Sequence, residues 1–316
     1  MIHIAVIIIT YRRNQGLAKL LTELEQQKCT DSSRCFRLTA IVVDNDIMGM
    51  AASCIEPFKN SSSLAIRYIV EPTQGIPVAR NAGIEALPDD AEFFCYIDDD
   101  EWPGRTWVDE LLRTQRATGA DCILGAVMPI FPDGASRWLI NSKVFDSWEF
   151  PDRAVLKAAA SNNVLISTDF IRRTGLRFDN RMRMTGGSDY LFFKQAVSLG
   201  MCIVWSAGAP VYEYIPKSRM TLRWIFQRQY RVGNTFSVSE RLTGTRLGLI
   251  KLTITGIARA GLGFVMLPAL LFSPYYGMRA IVHMLRGAGI VAGVYGHTHQ
   301  EYSPQSLARD RSTQSK

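Results

Sequence analysis

Histidine is nearly absent from this chain. Only His3, His283, His297 and His299 occur in 316 residues, so a histidine-based triad or a histidine-rich zinc site has little to work with. The six cysteines (Cys29, Cys35, Cys54, Cys95, Cys122 and Cys202) are scattered and make no CxxC pair. That excludes a disulfide scaffold and suits a reducing compartment. There is no GxxxxGK[ST] phosphate loop, and the nearest approach to GxGxxG, Gly287-Ala-Gly289-Ile-Val-Ala-Gly293, has the wrong spacing. These gaps argue against an ATPase and against a dinucleotide-dependent dehydrogenase. The opening MIHIAVIIIT lacks a basic lead-in and a small-residue cleavage site. It reads as a buried strand rather than a secretory signal, and the front of the chain is expected to stay in the cytoplasm.

The chain is 47% apolar and 21% charged, with a formal net charge of +7. Those values exclude disorder as the main state and allow one large domain or two modest ones. The charge is uneven. Residues 217–300 hold eleven bases and one acid, Glu240, whereas residues 1–216 sum to −4. An acidic-leaning front therefore meets a basic, apolar back. Within the back, Ala260 to Met278 is a run of nineteen uncharged residues, close to the length that spans a bilayer, although Pro268 and Pro274 within it weaken the reading as one straight span. Residues 303–316 are polar and read as a disordered tail. His297 and His299 are too isolated to form a metal site.

The front alternates strand and helix patterns. His3–Ile9, Leu38–Val43, Leu64–Val70, Phe93–Ile97 and Cys122–Met128 are short apolar runs. Between them, Leu17, Leu20, Leu21 and Leu24 mark one helix face, and Ile76–Leu87 and Trp107–Thr118 read as further helices. The expected fold is α/β, with a mostly parallel sheet flanked by helices. Parallel strands end on one edge, where ligands bind. Thr10, Asp44, Glu71 and Asp98 fall at those ends, and Asp98 opens the triplet Asp98-Asp99-Asp100. Three adjacent carboxylates repel one another without a cation. In an extended segment Asp98 and Asp100 point the same way, which suits a hard dication, Mg²⁺ or Mn²⁺, shared with a diphosphate. This points to a nucleotide-sugar or nucleotidyl enzyme.

AVIIITYRR, IVVDND, EPTQGIPVARNAGI, YIDDDEWP, SNNVLIS and TGGSDYLFF, in this order and spacing, resemble the family 2 inverting glycosyltransferases of GT-A fold. Within that family the chain is most similar to bacterial exopolysaccharide (succinoglycan-type) glycosyltransferases. The likeness covers roughly residues 3–215 and, less specifically, the hydrophobic tail. It implies a Rossmann-like GT-A domain over 1–215, followed by a basic, apolar, helical membrane-associated region over 216–300 and the tail 301–316. It also implies roles for individual residues. Thr10, Tyr11 and Arg12 would contact the nucleotide, Asp44 would bond the base, usually uracil, and Glu71 and Arg80 would stand beside the donor. The triple Asp matches the family's DxD motif. Asp100 would be the direct metal ligand, with Asp98 near ribose or metal and Asp99 at the nucleotide-sugar. Asp189 would be the catalytic base, although Ser188 replaces the acid that many relatives carry before it.

Read without the family, Ser188 is a candidate N-cap for a helix over Tyr190–Leu199, closed by Gly200. Asp189 would then lie where the helix's partial positive charge favours a carboxylate. Trp102, Trp107, Trp138 and Trp148 are candidates for stacking on sugars. Processive relatives carry QxxRW after the base, whereas here Gln227-Arg-Gln-Tyr-Arg231 places Tyr230 at the Arg position. That implies transfer of a single sugar.

The expected partners are a nucleotide-sugar donor, of the UDP-sugar kind, a lipid-linked saccharide acceptor and membrane lipids, without nucleic acid. The expected location is the cytoplasmic face of the cell membrane, since basic residues beside apolar runs favour anionic lipid. Two other readings stay open on sequence alone. One is a metal-dependent nucleotidyltransferase using the same carboxylates, and the other is a nucleic-acid-binding protein using the basic back half.

Overall fold

The computed structural model describes residues 1–30, 35–61, 64–146 and 149–297. The chain forms two compact units. One comprises Met1–Pro129, Ser147–Arg183 and Ser188–Tyr214, and the other comprises Ile130–Asp146, Met184–Gly187 and the chain from Ile215 onward. The 1–215 and 216–300 division expected from the sequence is thus interrupted by two front segments that group with the rear.

The first unit begins with strictly alternating elements. These are β1 (Ile2–Thr10), α1 (Asn14–Glu25), β2 (Phe36–Asp44), α2 (Ala52–Ser61), β3 (Ala65–Val70), α3 (Ile76–Glu85) and β4 (Phe93–Ile97). β5 (Glu101–Pro103), α4 (Trp107–Thr118) and β6 (Cys122–Ile130) follow, and then, after the second unit's α5 (Arg137–Asn141), come β7 (Val155–Leu156), β8 (Asn163–Ser167), α6 (Thr168–Thr174), α7 (Ser188–Ser198) and β9 (Ile203–Tyr214). The sheet order is β3-β2-β1-β4-β8-β6-β9-β5, with β7 on β9.

β3, β2, β1 and β4 pair in parallel. Beyond β4 the pairs β4–β8, β6–β8, β5–β9 and β7–β9 are antiparallel. The parallel sheet read from the sequence is therefore one half of a mixed sheet. The second half also has long helical connections, α4 between β5 and β6 and α6 and α7 between β8 and β9, so connection length alone does not set its antiparallel pairing.

β1 explains why the sheet is covered on both faces. Its alternate residues enter opposite cores: Ala5 and Ile7 join Phe94, Phe170 and Phe192, whereas Ile4, Val6 and Ile8 join Leu17, Leu20, Leu21 and Trp107. A strand buried on both faces needs apolar residues at every position, which is what IAVIII provides. The register aligns Thr10 with Asp44 and Asp44 with Val70, and it pairs Ile97 with Asn163. Strand ends carrying polar residues thus share one edge.

The second unit is built on α8 (Leu222–Thr243), α9 (Arg246–Met266) and α10 (Pro274–Val294). Leu139, Phe145, Ile225 and Met278 form its small core, and this packing draws segment 130–146 to the rear helices. Glycines set the helix spacing. A Cβ at Gly289 would stand 2.0 Å from the Tyr230 carbonyl oxygen, and one at Gly293 would stand 2.7 Å from Ser237 Cβ. A Cβ at Gly287 would stand 2.5 Å from the Gly256 carbonyl oxygen, and one at Gly263 would stand 2.5 Å from that of Ala280. α8 therefore runs parallel to α10, and α9 runs antiparallel to it.

The uncharged run from 260 to 278 is not one element. The helix of α9 tightens at Leu267–Leu271, and α10 restarts behind Ser273, whose hydroxyl accepts from the Tyr276 amide. Arg246–Leu271 is long and apolar enough to cross a membrane, with mean hydropathy 1.7, and little of it is buried. Leu247, Ile250, Ile254, Ile257, Phe264 and Val265 make an exposed stripe along it.

Candidate active site

Local chemistry assembles the site at the strand-end edge of the first unit. β4 ends at Ile97, and the chain turns at once, with the Glu101 amide donating to the Asp98 carbonyl at 3.1 Å. The extended geometry assumed for Asp98 and Asp100 is thus replaced by a tight turn. In this turn Asp99 and Asp100 act together. Arg13 Nη1 donates to Asp99 Oδ1 at 3.0 Å and to Asp100 Oδ2 at 2.8 Å, and Thr10 Oγ1 donates to Asp99 Oδ2 at 2.8 Å. Gly16 makes this approach possible, because a Cβ there would lie 2.3 Å from the Asp99 carbonyl oxygen. An open cleft of about 730 Å³ is lined by Arg12, Arg13, Asn14, Gln15, Gly16, Met50, Asp99 and Asp100.

Asp98 faces different company. Its amide donates to Glu101 Oε2 at 3.2 Å, and Asn162 Nδ2 holds Glu101 Oε1 at 2.8 Å. Burial pushes the Asp98 carboxyl up to about 7; Arg80 opposes the shift, and Asp100 and Asp99 add to it. Burial also raises Glu101 well above the usual carboxylate range, with Asp98 and Asp100 adding to the shift. Asp99 is pushed up to about 6 by burial against the pull of Arg13. Burial opposes the charge on Arg13, but Asp99 and Asp100 outweigh it and hold the guanidinium charged.

Five carboxylates (Asp98, Asp99, Asp100, Glu101 and Glu213) thus act on one another here. Arg80 opposes this crowding at Asp98 and Arg13 opposes it at Asp99. Excess negative charge on hard oxygen donors is the chemistry that fits Mg²⁺ or Mn²⁺. Among the described residues no group of three or more His, Cys, Asp or Glu forms a ready-made metal cage.

The other sequence candidates fall as follows. Arg12 adopts a left-handed conformation at φ 57 and forms a two-pronged ion pair with Asp46. Tyr11 lies under it, with the guanidinium carbon 5.2 Å from the ring centre. Asp44 is wholly buried. Its Oδ1 accepts from the Asp46 amide at 3.1 Å, and its Oδ2 accepts from the Ala51 amide and the Tyr68 hydroxyl, both at 2.8 Å. Asp44 therefore holds the loop after β2 in shape from inside. Glu71 accepts from the Thr73 amide at 2.8 Å.

Arg80 is buried on α3 and reaches Ser188 Oγ at 3.4 Å, at the start of α7. Its guanidinium lies 5.2 Å from the Phe178 ring centre, and its Nε has no partner. Arg80 thus links Asp98 electrostatically to the turn that carries Asp189. Asp189 lies in the first turn of α7, half-buried, with Oδ1 accepting from the Tyr190 amide at 2.9 Å. Ser188 is the first helical residue of α7 rather than its cap.

The tryptophans divide. Trp107 is buried, and its Nε1 donates to Asn163 Oδ1 at 2.8 Å. Trp102 is sandwiched, with Lys19 Nζ 3.0 Å from its ring centre and the Tyr212 ring stacked at 6.2 Å. Trp138 is partly exposed, and Trp148 lies outside the described residues, as do His299 and the tail from 301.

Three site residues escaped the sequence reading: Arg13, Gly16 and Asn45. Asn45 Nδ2 donates to the carbonyls of Glu71 and Thr73, and its Oδ1 accepts from the Gly75 amide. Gly75 itself sits at φ 147, where a Cβ would press within 2.8 Å of Arg183 Cβ. The Asn45-to-Gly75 pairing joins two loops distant in sequence, so spacing alone could not reveal it. Arg13, by contrast, directly follows Arg12, and its position opposite an acidic triplet was available as a charge signal.

Residues 5–174 match the family model described as glycosyl transferase family 2. The chain is 30% identical over 301 residues to the succinoglycan biosynthesis protein ExoM of Rhizobium meliloti (strain 1021), covering 93% of this chain and 94% of that protein. It is 24% identical over 206 residues to the glycosyltransferase AglE of Haloferax volcanii, covering 64% of each. Among solved structures, residues 1–349 of S. aureus TarS in complex with UDP align with a TM-score of 0.52 and 14% identity, covering 95% of this chain and 93% of that one. That likeness concerns the fold.

Proposed function

The chain belongs to glycosyl transferase family 2, and from that premise we propose that it moves one sugar, with inversion, from a UDP-sugar to a hydroxyl of a lipid-linked saccharide. Family membership sets aside the nucleotidyltransferase and nucleic-acid readings. The relative named for succinoglycan biosynthesis supports a place in bacterial exopolysaccharide assembly. We place this work at the cytoplasmic face of the membrane; the exposed apolar stripe of α9 supports contact with lipid. Burying one large apolar side chain is worth roughly 1.5–3 kcal/mol, so six such residues give ample attraction. α9 is seated on α10 by glycines along one side, so it lies along the interface with its free side in lipid rather than threading the bilayer alone.

The observation that carries the reading is the position of Arg80. It is buried between Asp98, at the acidic turn, and Ser188, beside Asp189. In the proposed roles Thr10, Tyr11, Arg12, Asp44, Glu71 and Arg80 frame the donor nucleotide together with Asp99. Asp98 and Asp100 would hold Mg²⁺ or Mn²⁺, which supplies Lewis-acid charge compensation for the departing diphosphate. Arg13 keeps Asp99 and Asp100 oriented. Asp189 accepts the proton of the acceptor hydroxyl as its oxygen bonds the sugar C1 from the face opposite the breaking C1–O bond to phosphate. The charge that develops on the sugar is oxocarbenium-like. Loss of QxxRW supports release after a single addition.

The test is consumption of a panel of nucleotide sugars by membranes carrying the protein, with and without Mn²⁺ or Mg²⁺. Asp189→Asn should lower turnover by about 10²–10⁴-fold, the usual worth of a positioned base, while leaving UDP binding intact. Undiminished turnover in Asp189→Asn would remove the base, and undiminished turnover in Asp100→Ala would remove the metal site.

A further inference from the structure

The acidic run does not stop at the triplet. Glu101 follows it and is almost wholly buried, where Asp98, Asp99 and Asp100 already crowd negative charge. β5 sets Glu101 directly opposite Glu213, and acids that face each other across a strand pair repel. A neutral residue would cost less there unless the carboxylate does what a neutral side chain cannot.

The hydrogen bonds of Glu101 supply that reason. Its Oε2 accepts from the Asp98 amide at 3.2 Å, and its own amide donates to the Asp98 carbonyl at 3.1 Å. The two bonds run in opposite senses and tie together the ends of the turn that holds Asp99 and Asp100. Glu101 Oε1 accepts from Asn162 Nδ2 at 2.8 Å. Asn162 immediately precedes β8, whose first residue, Asn163, pairs with Ile97 and is held by three side-chain hydrogen bonds. The turn is therefore anchored to a fixed strand end. Two N–H groups converge on one side chain. A carboxylate presents two acceptor oxygens to them, whereas glutamine presents one acceptor and one donor.

We propose that Glu101 and Asn162 are positioning residues for the dication. Glu101 does not ligate the metal; it fixes the turn so that Asp98 and Asp100 meet Mg²⁺ or Mn²⁺ in one arrangement, and Asn162 fixes Glu101. This role rests on the metal reading of Asp98 and Asp100 given above.

The full chain, saturated with UDP, is titrated with Mn²⁺, and free Mn²⁺ is followed by electron paramagnetic resonance. Groups that orient metal ligands are usually worth about 10–100-fold in metal affinity, so Glu101→Gln should weaken Mn²⁺ by at least about tenfold. Asn162→Asp decides the sign. Its added negative charge would by attraction alone tighten Mn²⁺. It also leaves two carboxylates facing each other without the N–H between them, so Mn²⁺ should bind more weakly, again by about tenfold. Glu101→Gln/Asn162→Asp reverses the polarity of that bond. The amide introduced at 101 donates to the carboxylate introduced at 162, and its oxygen still accepts from the Asp98 amide. Affinity should recover to within about threefold of wild type, which a pair that acted independently would not do. Melting curves report whether each variant folds. Where one does not, Asn162→Ala, which removes the bond without changing the charge, serves instead and should weaken Mn²⁺ severalfold.

Tighter binding in Asn162→Asp overturns the proposal, as does unchanged binding in a folded Glu101→Gln or Asn162→Ala. A double variant no better than Glu101→Gln shows that Glu101 itself acts at the metal, and overturns it too. A wild-type chain that takes up no Mn²⁺ with UDP removes the metal reading along with this one. Variants that match a Mn²⁺-binding wild type remove this one alone.

Discussion

Replacing Asn163 with leucine should damage the first unit more than its size suggests. The side chain is fully buried at the start of β8. Its Nδ2 donates to the carbonyls of Ala126 and Ala209 at 2.8 and 2.9 Å, and its Oδ1 accepts from Trp107 Nε1 at 2.8 Å. Gly125 leaves room for the amide, since a Cβ there would meet Asn163 Nδ2 at 2.4 Å. Leucine has nearly the same volume but makes none of these bonds. One indole N–H and two carbonyls lose a partner, at roughly 1–3 kcal/mol for each buried group left unsatisfied. The expected loss is about 3–9 kcal/mol, a large part of the 5–15 kcal/mol that holds an ordinary domain together. Urea unfolding followed by far-ultraviolet circular dichroism measures it through the shift in midpoint. Asn163 also pairs with Ile97, the residue before Asp98, so UDP binding should weaken in step. A variant within about 1 kcal/mol of wild type would show that these bonds are replaced by water at little cost, contrary to the reasoning.

Two further substitutions probe the site. Gly16→Ala should gain about 1 kcal/mol from helix propensity alone, yet the clash with the Asp99 carbonyl should reverse the sign and destabilise by about 1–3 kcal/mol. An elevated melting temperature would refute the close approach of α1 to the acidic turn. Tyr68→Phe removes one donor from the buried Asp44 carboxylate and should cost about 1.5–3 kcal/mol. Unchanged unfolding with unchanged UDP affinity would mean that the loop after β2 does not depend on Asp44.

The parallel half of the sheet was legible because its signal is local. A run such as IAVIII, or leucines at helical spacing, states burial directly, and α4 begins and ends where its periodicity does. β5 and β7 have three and two residues, too few for any period to emerge, and they exist through pairing with β9. The acidic triplet announced a site, but its turn did not follow from an alternating pattern. A tight turn is set by the Glu101 amide returning to Asp98, and Asp99 and Asp100 are then brought together on Arg13. The SNN motif was visible as a likeness only. The role of Asn163 as a joint between β6, β9 and α4 depends on three partners scattered along the chain. The break at Ser273-Pro274 was readable as a serine cap followed by a proline at the first helical position, and Pro268 and Pro274 already argued against one straight span through the uncharged run.

The glycine seams of α8, α9 and α10 bear on how this part of the protein meets its solvent. Helices joined backbone to backbone cohere through dispersion and fit, forces that persist when oil replaces water around them. A bundle knit by leucines would find acyl tails as agreeable as its own neighbours. This one has little to exchange, so on the membrane reading proposed above it would settle into a lipid surface and leave it again without changing its internal form.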